Sequence, residues 1–176
     1  MKKSILFWQF TGVVATGIGG TLLHFLYELC GKNAFVAMFS GVNESTWEHM
    51  KLLFFPTFIF ALIEYRLLGA RKDFWCVKLI GIITGLTLIP VLFYTLNGIF
   101  GKTPDWINIL IFYIAVIALY ILETYIFKKK HFDCRHPRLA FIIICIIGAF
   151  FVLFTFFTPQ IPIFKDPLSG SYGHKI

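Results

Sequence analysis

The chain has 176 residues, of which 58% are hydrophobic and only 14% are charged, and its mean hydropathy is +0.79. Soluble domains carry roughly 25% charged residues, and a soluble protein of this length has too little interior to bury so much apolar surface. The composition therefore excludes a soluble domain. The net charge of +7 does not indicate nucleic-acid binding, because the basic residues lie in short clusters between apolar runs, as in membrane-protein loops.

Five apolar stretches are long enough to cross the hydrocarbon as helices, which takes about 20 residues. They lie near Ile5–Tyr27, Trp47–Leu68, Phe74–Phe100, Trp106–Phe127 and Leu139–Thr158. The runs are too long for barrel strands. We therefore expect an all-α integral membrane bundle of five transmembrane helices over residues 1–158, followed by a Pro- and Gly-rich extracytoplasmic tail over residues 159–176. Residues 33–42 are apolar but too short to span, so they either lie in the interface or re-enter the bilayer.

The distribution of Lys and Arg predicts the orientation. With the N-terminus inside, ten basic residues fall on the inner side and four in the outer loops and tail, which by the positive-inside rule means N-in and C-out. The ten are Lys2, Lys3, Arg66, Arg71, Lys72, Lys128, Lys129, Lys130, Arg135 and Arg138, and the four are Lys32, Lys102, Lys165 and Lys175.

Two carboxylates, Glu64 and Glu123, fall near the inner ends of their spans. We expect them to form a salt-bridged inner rim, Glu64 with Arg66 or Lys78 and Glu123 with the Lys128–Lys130 cluster. A proton path from these residues to the outer side is the alternative, since ionisable groups at membrane depth often mark function.

Residues 43–51, Asn-Glu-Ser-Thr-Trp-Glu-His-Met-Lys, are unusually polar for the start of a membrane span. Ser45 and Glu48 have the spacing of a capping box, in which each side chain satisfies a free backbone N–H of the first turn. Capping does not account for Glu44, His49 and Lys51. The stretch therefore indicates a functional role beyond the start of a helix.

Imidazole and carboxylate groups at the outer ends of the first two spans suggest a metal site. His24 and Glu28 are four residues apart and share one helical face. Glu48 and His49 begin the second span. Two nitrogens and two oxygens suit zinc and similar ions. We therefore expect His24, Glu28, Glu48 and His49 to bind a divalent metal such as zinc in an outward-facing polar pocket.

We expect Glu44, Glu48 and Lys51 to carry the chemistry of this pocket, with a carboxylate not bound to the metal as general base. The substrate or ligand would be a lipid or a small molecule reached from the outer side. Two alternatives remain open: a capture subunit for solute transport, and a non-catalytic partner in a membrane-protein complex. Four cysteines lack CxxC spacing, so neither a disulfide nor a thiolate zinc site is expected.

The run Asn43-Glu44-Ser45-x-Trp47-Glu48-His49-x-Lys51 resembles the NESxWEHxK hallmark of a family of small multi-pass bacterial membrane proteins of unknown function. The tail residues Asp166-Pro167 and Tyr172-Gly173 are also similar to that family. The resemblance covers nearly the whole chain. It implies a bacterial cytoplasmic membrane as the location and nothing about activity.

Overall fold

The fold is entirely helical, as the sequence predicts. The computed structural model describes residues 2–67, 71–101, 103–129 and 132–174, with side chains from Ile5 onward and without that of Asp105. These residues form α1 (Lys2–Leu29), α2 (Ala34–Ala37), α3 (Thr46–Leu67), α4 (Phe74–Phe100), α5 (Asp105–Lys128), α6 (Pro137–Phe156) and a 3-10 turn (Pro162–Phe164). Among them, extended pairing is limited to one isolated bridge between Lys165 and Tyr172.

Four of the helices, α1, α4, α5 and α6, are long and apolar enough to cross a membrane. Each predicted stretch matches a helix to within a few residues. The last helix ends at Phe156 rather than at the predicted Thr158, and Leu68, the predicted end of the second stretch, lies outside the described residues. Three lysines of the charge count also lie outside the described residues, namely Lys102, Lys130 and Lys175. The side chains of Lys2 and Lys3 are not described either. Helix α3 has 22 residues, about 33 Å at 1.5 Å per residue, but carries four charged side chains.

The long helices alternate in direction. Helices α1, α4 and α6 run one way and α3 and α5 the other, as contacts such as Gln9 with Glu64 and Thr16 with Thr57 require. We call the end where α3 and α5 begin the upper end and the opposite end the lower end. The core holds Leu53, Phe54, Val77, Ile82, Ala115 and Leu119, all fully buried. Large apolar side chains cover the outside, including Phe7, Phe10, Leu22 and Ile121, which suits a lipid-facing surface.

Small residues bring α1 close to its neighbours. A Cβ atom on Gly20 would lie 2.9 Å from the backbone oxygen of Leu52 and 2.4 Å from the ring of Phe112. Gly17 similarly faces Tyr113. Close helix approach at small residues is typical of packing in membranes, where dispersion contacts replace the hydrophobic effect.

Residues 33–42 fold over the upper end of α1. Ser40 accepts a hydrogen bond from the Tyr27 N–H at 3.0 Å and donates one to the Leu23 carbonyl. The Ala37 carbonyl accepts from the Lys51 ammonium at 2.9 Å. The segment therefore satisfies polar groups of α1 and α3, rather than lying free of the bundle.

The tail also folds back on the upper end. The His174 N–H donates to the Thr155 carbonyl at 2.9 Å, and Asn43 donates to the Gly173 carbonyl at 3.4 Å. The rings of Trp47 and Phe164 lie 4.6 Å apart. These contacts join the last described residues to both α3 and α6.

The expectation that no disulfide forms is wrong. Cys76, at the start of α4, is bonded to Cys134 in the α5–α6 connection, with Cα atoms 5.9 Å apart. The two are 58 residues apart in sequence, so local spacing could not reveal the pair. Cys30 and Cys145 are free and exposed.

We expect Gly20→Ala to destabilise the protein by about 1–3 kcal/mol, because the backbone of α3 cannot move away from the added methyl without separating the helices. The matched control is Gly98→Ala in α4, where a Cβ meets nothing within 4 Å and better helix propensity predicts a neutral or slightly positive effect. Denaturant unfolding in detergent, followed by circular dichroism, compares them. Equal stability of the two variants would contradict close α1–α3 packing at Gly20.

Candidate functional site

A short turn before α3 fixes the polar motif. The Asn43 carboxamide oxygen accepts from the Ser45 N–H at 2.9 Å, and the Ser45 hydroxyl accepts from the Glu48 N–H at 3.4 Å. Ser45 thus caps α3, as predicted. Since Asn43 already satisfies the Ser45 N–H, the Glu48 carboxylate instead accepts from the Val42 N–H at 3.2 Å. The second half of the predicted capping box therefore does not form.

This turn places Glu44 between two imidazoles. The Glu44 carboxylate lies 3.4 Å from His24 Nε2 and 3.6 Å from His49 Nε2, each measured to a different oxygen. One ligand atom from each of His24, Glu44 and His49 lies within 4.8 Å of the others. We call these three residues the upper triad.

The orientation of His49 is fixed by a backbone group. Its Nδ1 lies 3.0 Å from the Ser45 carbonyl oxygen, and since a carbonyl only accepts, Nδ1 carries the hydrogen. The His49 side chain is only 12% exposed, so burial disfavours the doubly protonated ring. Neutral His49 therefore turns the lone pair of Nε2 toward an anionic carboxylate. An intervening cation would relieve that repulsion.

Glu44 itself is an anion at neutral pH. Its hydrogen bond with His24 outweighs the opposing effect of burial and lowers the pKa of the carboxyl from its ordinary value. Glu44 and His24 are about one-third exposed, so the triad lies at the edge of the bundle. It can be reached from the upper end.

An apolar cavity of about 160 Å³ adjoins the upper triad. Both His24 and His49 contribute to its lining. Phe25 and Ile109 also line it and are exposed on the outside of the bundle, so the cavity reaches the surface between α1 and α5. The remaining lining residues are Gly20, Thr21, Leu52, Phe112 and Tyr113.

The structure brings together only part of the predicted ligand set. Glu28 points away from the triad and pairs with Lys32 at 3.5 Å on an exposed surface. Glu48 is 2% exposed and is paired with Lys51. Glu44, predicted to act in the chemistry rather than as a ligand, lies where a ligand oxygen would be needed. The predicted set of His24, Glu28, Glu48 and His49 thus changes to His24, Glu44 and His49.

Glu48 and Lys51 form a buried structural pair. The Lys51 ammonium lies 2.5 Å from the Glu48 carboxylate and donates to the Ala37 carbonyl and the Thr155 hydroxyl, each at 2.9 Å. All three of its hydrogens are thereby used. Neither residue lines the cavity. The geometry therefore does not favour the expected participation of Glu48 and Lys51 in the chemistry of the pocket.

A second buried cluster lies near the lower end. Lys78 lies 2.5 Å from Glu64 and 2.6 Å from Glu123, and all three side chains are fully buried. The expected pairing of Glu64 with Lys78 is confirmed, whereas the expected pairing of Glu123 with the Lys128–Lys130 cluster is wrong, since Glu123 also pairs with Lys78 from α4. The three side chains are buried inside the bundle and do not form a rim.

The sequence contains only weak signals for the contacts that the predictions missed. Gln9, which joins the lower cluster by donating to Glu64 at 2.7 Å, is an isolated amide within an apolar run. The contact of Glu44 with His24 depends on the Asn43 turn, whose Asn-x-Ser spacing is typical of an Asx turn. Neither signal specifies a partner on another helix.

Together, the apolar exterior, the long antiparallel helices and the buried charge pairs define an all-helical membrane protein. The chain belongs to a family of unknown function, DUF6512, whose model matches residues 1–174. No curated protein and no solved structure matches it.

We expect Lys51→Met to destabilise the protein by about 3–5 kcal/mol, because it leaves the Glu48 carboxylate buried without its counter-charge. The double variant Glu48→Gln, Lys51→Met should recover much of that loss. Lys32→Met is the control, since its partner Glu28 is exposed and such pairs contribute little. Unfolding in detergent measures these three variants and the single Glu48→Gln variant, which completes the double-mutant cycle. If the two Glu48 and Lys51 changes were simply additive, the pair would not be coupled.

Proposed function

We propose that the protein binds a divalent metal ion such as zinc through His24, Glu44 and His49, and acts on a lipid or small amphipathic molecule whose apolar part enters the adjoining cavity. The observation that carries the proposal is the convergence of two imidazoles and a carboxylate within 4.8 Å. A set of three protein ligands with one open position is typical of catalytic zinc sites.

The spacing of the upper triad suits one metal ion. Ligand atoms about 2.0–2.1 Å from a tetrahedral zinc ion are about 3.4 Å apart, close to the 3.4 and 3.6 Å between Glu44 and the two imidazoles. The hydrogen bond from His49 to the Ser45 carbonyl supports the same role, because metal-bound histidines usually donate their other N–H to a carbonyl or carboxylate.

The cavity supports an apolar ligand rather than a polar solute. Its lining is dominated by Phe25, Leu52, Ile109 and Phe112, and it reaches the outside of the bundle between two helices. A metal held by three protein ligands can activate water for hydrolysis. A bond near the polar head of a lipid would meet the triad while its chain occupied the cavity.

We further propose five membrane spans with N-in and C-out orientation, in the bacterial cytoplasmic membrane that the motif resemblance implies. Helix α3 is the span that we add to the four long apolar helices α1, α4, α5 and α6. It lies antiparallel to α1 along most of its length, and three of its four charged residues, Glu48, Lys51 and Glu64, are buried within the bundle rather than directed to lipid. The upper triad then faces the outer side.

Elemental analysis of detergent-purified protein tests the metal site. We expect stoichiometric zinc or a similar metal in the wild type, and its loss in Glu44→Gln and in His49→Ala. Glu28→Gln is the matched control, because Glu28 lies at the same end of α1 as His24 but outside the triad. This variant should keep the metal. Metal retained in Glu44→Gln, or absent from the wild type after reconstitution with zinc, would overturn the site.

Hydrolysis is measured separately. Zinc-loaded protein in vesicles of phosphatidylethanolamine and phosphatidylglycerol should release fatty acid or headgroup, and Glu44→Gln should abolish the release. Release that is equal in the two proteins would reject the reaction. Metal binding without release would leave the metal site in place and remove the hydrolytic role.

The proposed orientation predicts on which side of the membrane a reporter protein fused to the chain becomes active. A fusion after His174 should give active alkaline phosphatase and no green fluorescence, whereas a fusion at Phe132 should give the reverse. A fluorescent C-terminal fusion would place the upper triad in the cytoplasm and contradict the proposed orientation.

A further inference from the structure

The lower cluster carries an imbalance of charge. Two carboxylates, Glu64 and Glu123, face one ammonium, Lys78, and all three are 0% exposed. With every group ionised, the cluster would hold one net negative charge in an apolar interior. Such a charge is strongly unfavourable unless a further positive charge compensates for it. By contrast, Glu48 and Lys51 balance one to one.

The cluster also lacks hydrogen-bond donors. Gln9 donates to Glu64, and Lys78 donates to Glu123 at 2.6 Å. Within the described part of the chain, Glu123 Oε1 and Gln9 Oε1 have no hydrogen-bond partner although both atoms are buried. Both atoms are acceptors. One additional hydrogen on a carboxyl group would supply a donor and remove the excess charge at the same time.

The surroundings add no other charge to the cluster. The described groups that face it are Gln9 from α1, Glu64 from α3, Lys78 from α4, and Glu123 and Tyr120 from α5. The Tyr120 ring lies 5.2 Å from the Lys78 ammonium, and its hydroxyl is hydrogen-bonded to Thr16 at 2.8 Å. The phenol is therefore a neutral, hydrogen-bonded group, and it does not supply the missing positive charge.

The backbone next to the cluster leaves room for the carboxyl group of Glu123. A Cβ atom on Gly81 of α4 would lie 2.6 Å from Glu123 Oε1. On the opposite side, a surface groove of about 390 Å³ between α1 and α5 has Gln9 and Tyr120 in its lining. Gln9, which contacts Glu64 directly, thus separates the cluster from the groove.

We propose that Glu64, Lys78 and Glu123 form a proton-binding site, in which one proton is shared between the two carboxyl groups at neutral pH. The ligand is a proton, and the site is distinct from the upper triad. It lies one to two turns from the lower end, on the inner side in the proposed orientation. The proposal does not depend on metal binding at the upper end.

Infrared spectroscopy of the purified protein in lipid tests this directly. The chain has only nine Asp and Glu residues, so the carbonyl stretch of one protonated carboxylic acid can be assigned. We expect this band in the wild type at neutral pH, shifted in deuterated water and lost as the pH is raised. Glu64→Gln and Glu123→Gln should each abolish the band, because either change leaves one carboxylate balanced by Lys78.

Glu28→Gln removes an exposed carboxylate and should leave the band unchanged. Lys78→Met removes the only ammonium of the cluster, so both carboxyl groups should be protonated and the band should grow about twofold. Absence of the band from the wild type at neutral pH would overturn the proposal without reference to any variant. Its persistence in both single Gln variants would place the proton elsewhere and also overturn it.

Discussion

Charge inside an apolar bundle must be neutralised, and this constraint organises the whole protein. Helix α3 carries buried charge near both of its ends, Glu48 with Lys51 at one and Glu64 at the other. Other helices supply partners for these residues: Lys78 of α4 pairs with Glu64, and the Thr155 hydroxyl of α6 accepts a hydrogen bond from Lys51. The packing of α3 at the centre of the bundle follows from these needs, since none of its charges could face lipid at low cost.

Between the two ends, the bundle is held by neutral groups. Thr16 is hydrogen-bonded to Tyr120 at 2.8 Å and lies 3.3 Å from Thr57, while Gly20 allows α1 to meet the backbone of α3. The upper triad and the lower cluster therefore both include residues of α1 and α3, without a continuous run of charge between them. Their chemistry is separable, one site having imidazoles at the bundle edge and the other having carboxyl groups in its interior.

The sequence predicts the fold well because bilayer thickness fixes the length of an apolar helix, and that length can be measured on a sequence. The site is predicted less completely. His24 and His49 stand out in apolar surroundings, but helical periodicity favours Glu28 as a companion of His24, whereas a turn made by Asn43 brings in Glu44 instead. Likewise, a local search pairs Glu123 with Lys128–Lys130, although helix packing selects Lys78. The partners of buried charges come from other helices, and sequence spacing does not report which helices touch.

The pairing of Glu64 with a residue that follows it in the chain has a consequence for biogenesis. During synthesis α3 is made before α4, so Glu64 leaves the ribosome ahead of its partner Lys78, and Lys51 precedes Thr155 by 104 residues. Helix α3 is thus poorly suited to insertion by itself. If α3 is the proposed additional span, its buried charges gain their partners on other helices only once α4 and α6 have followed it.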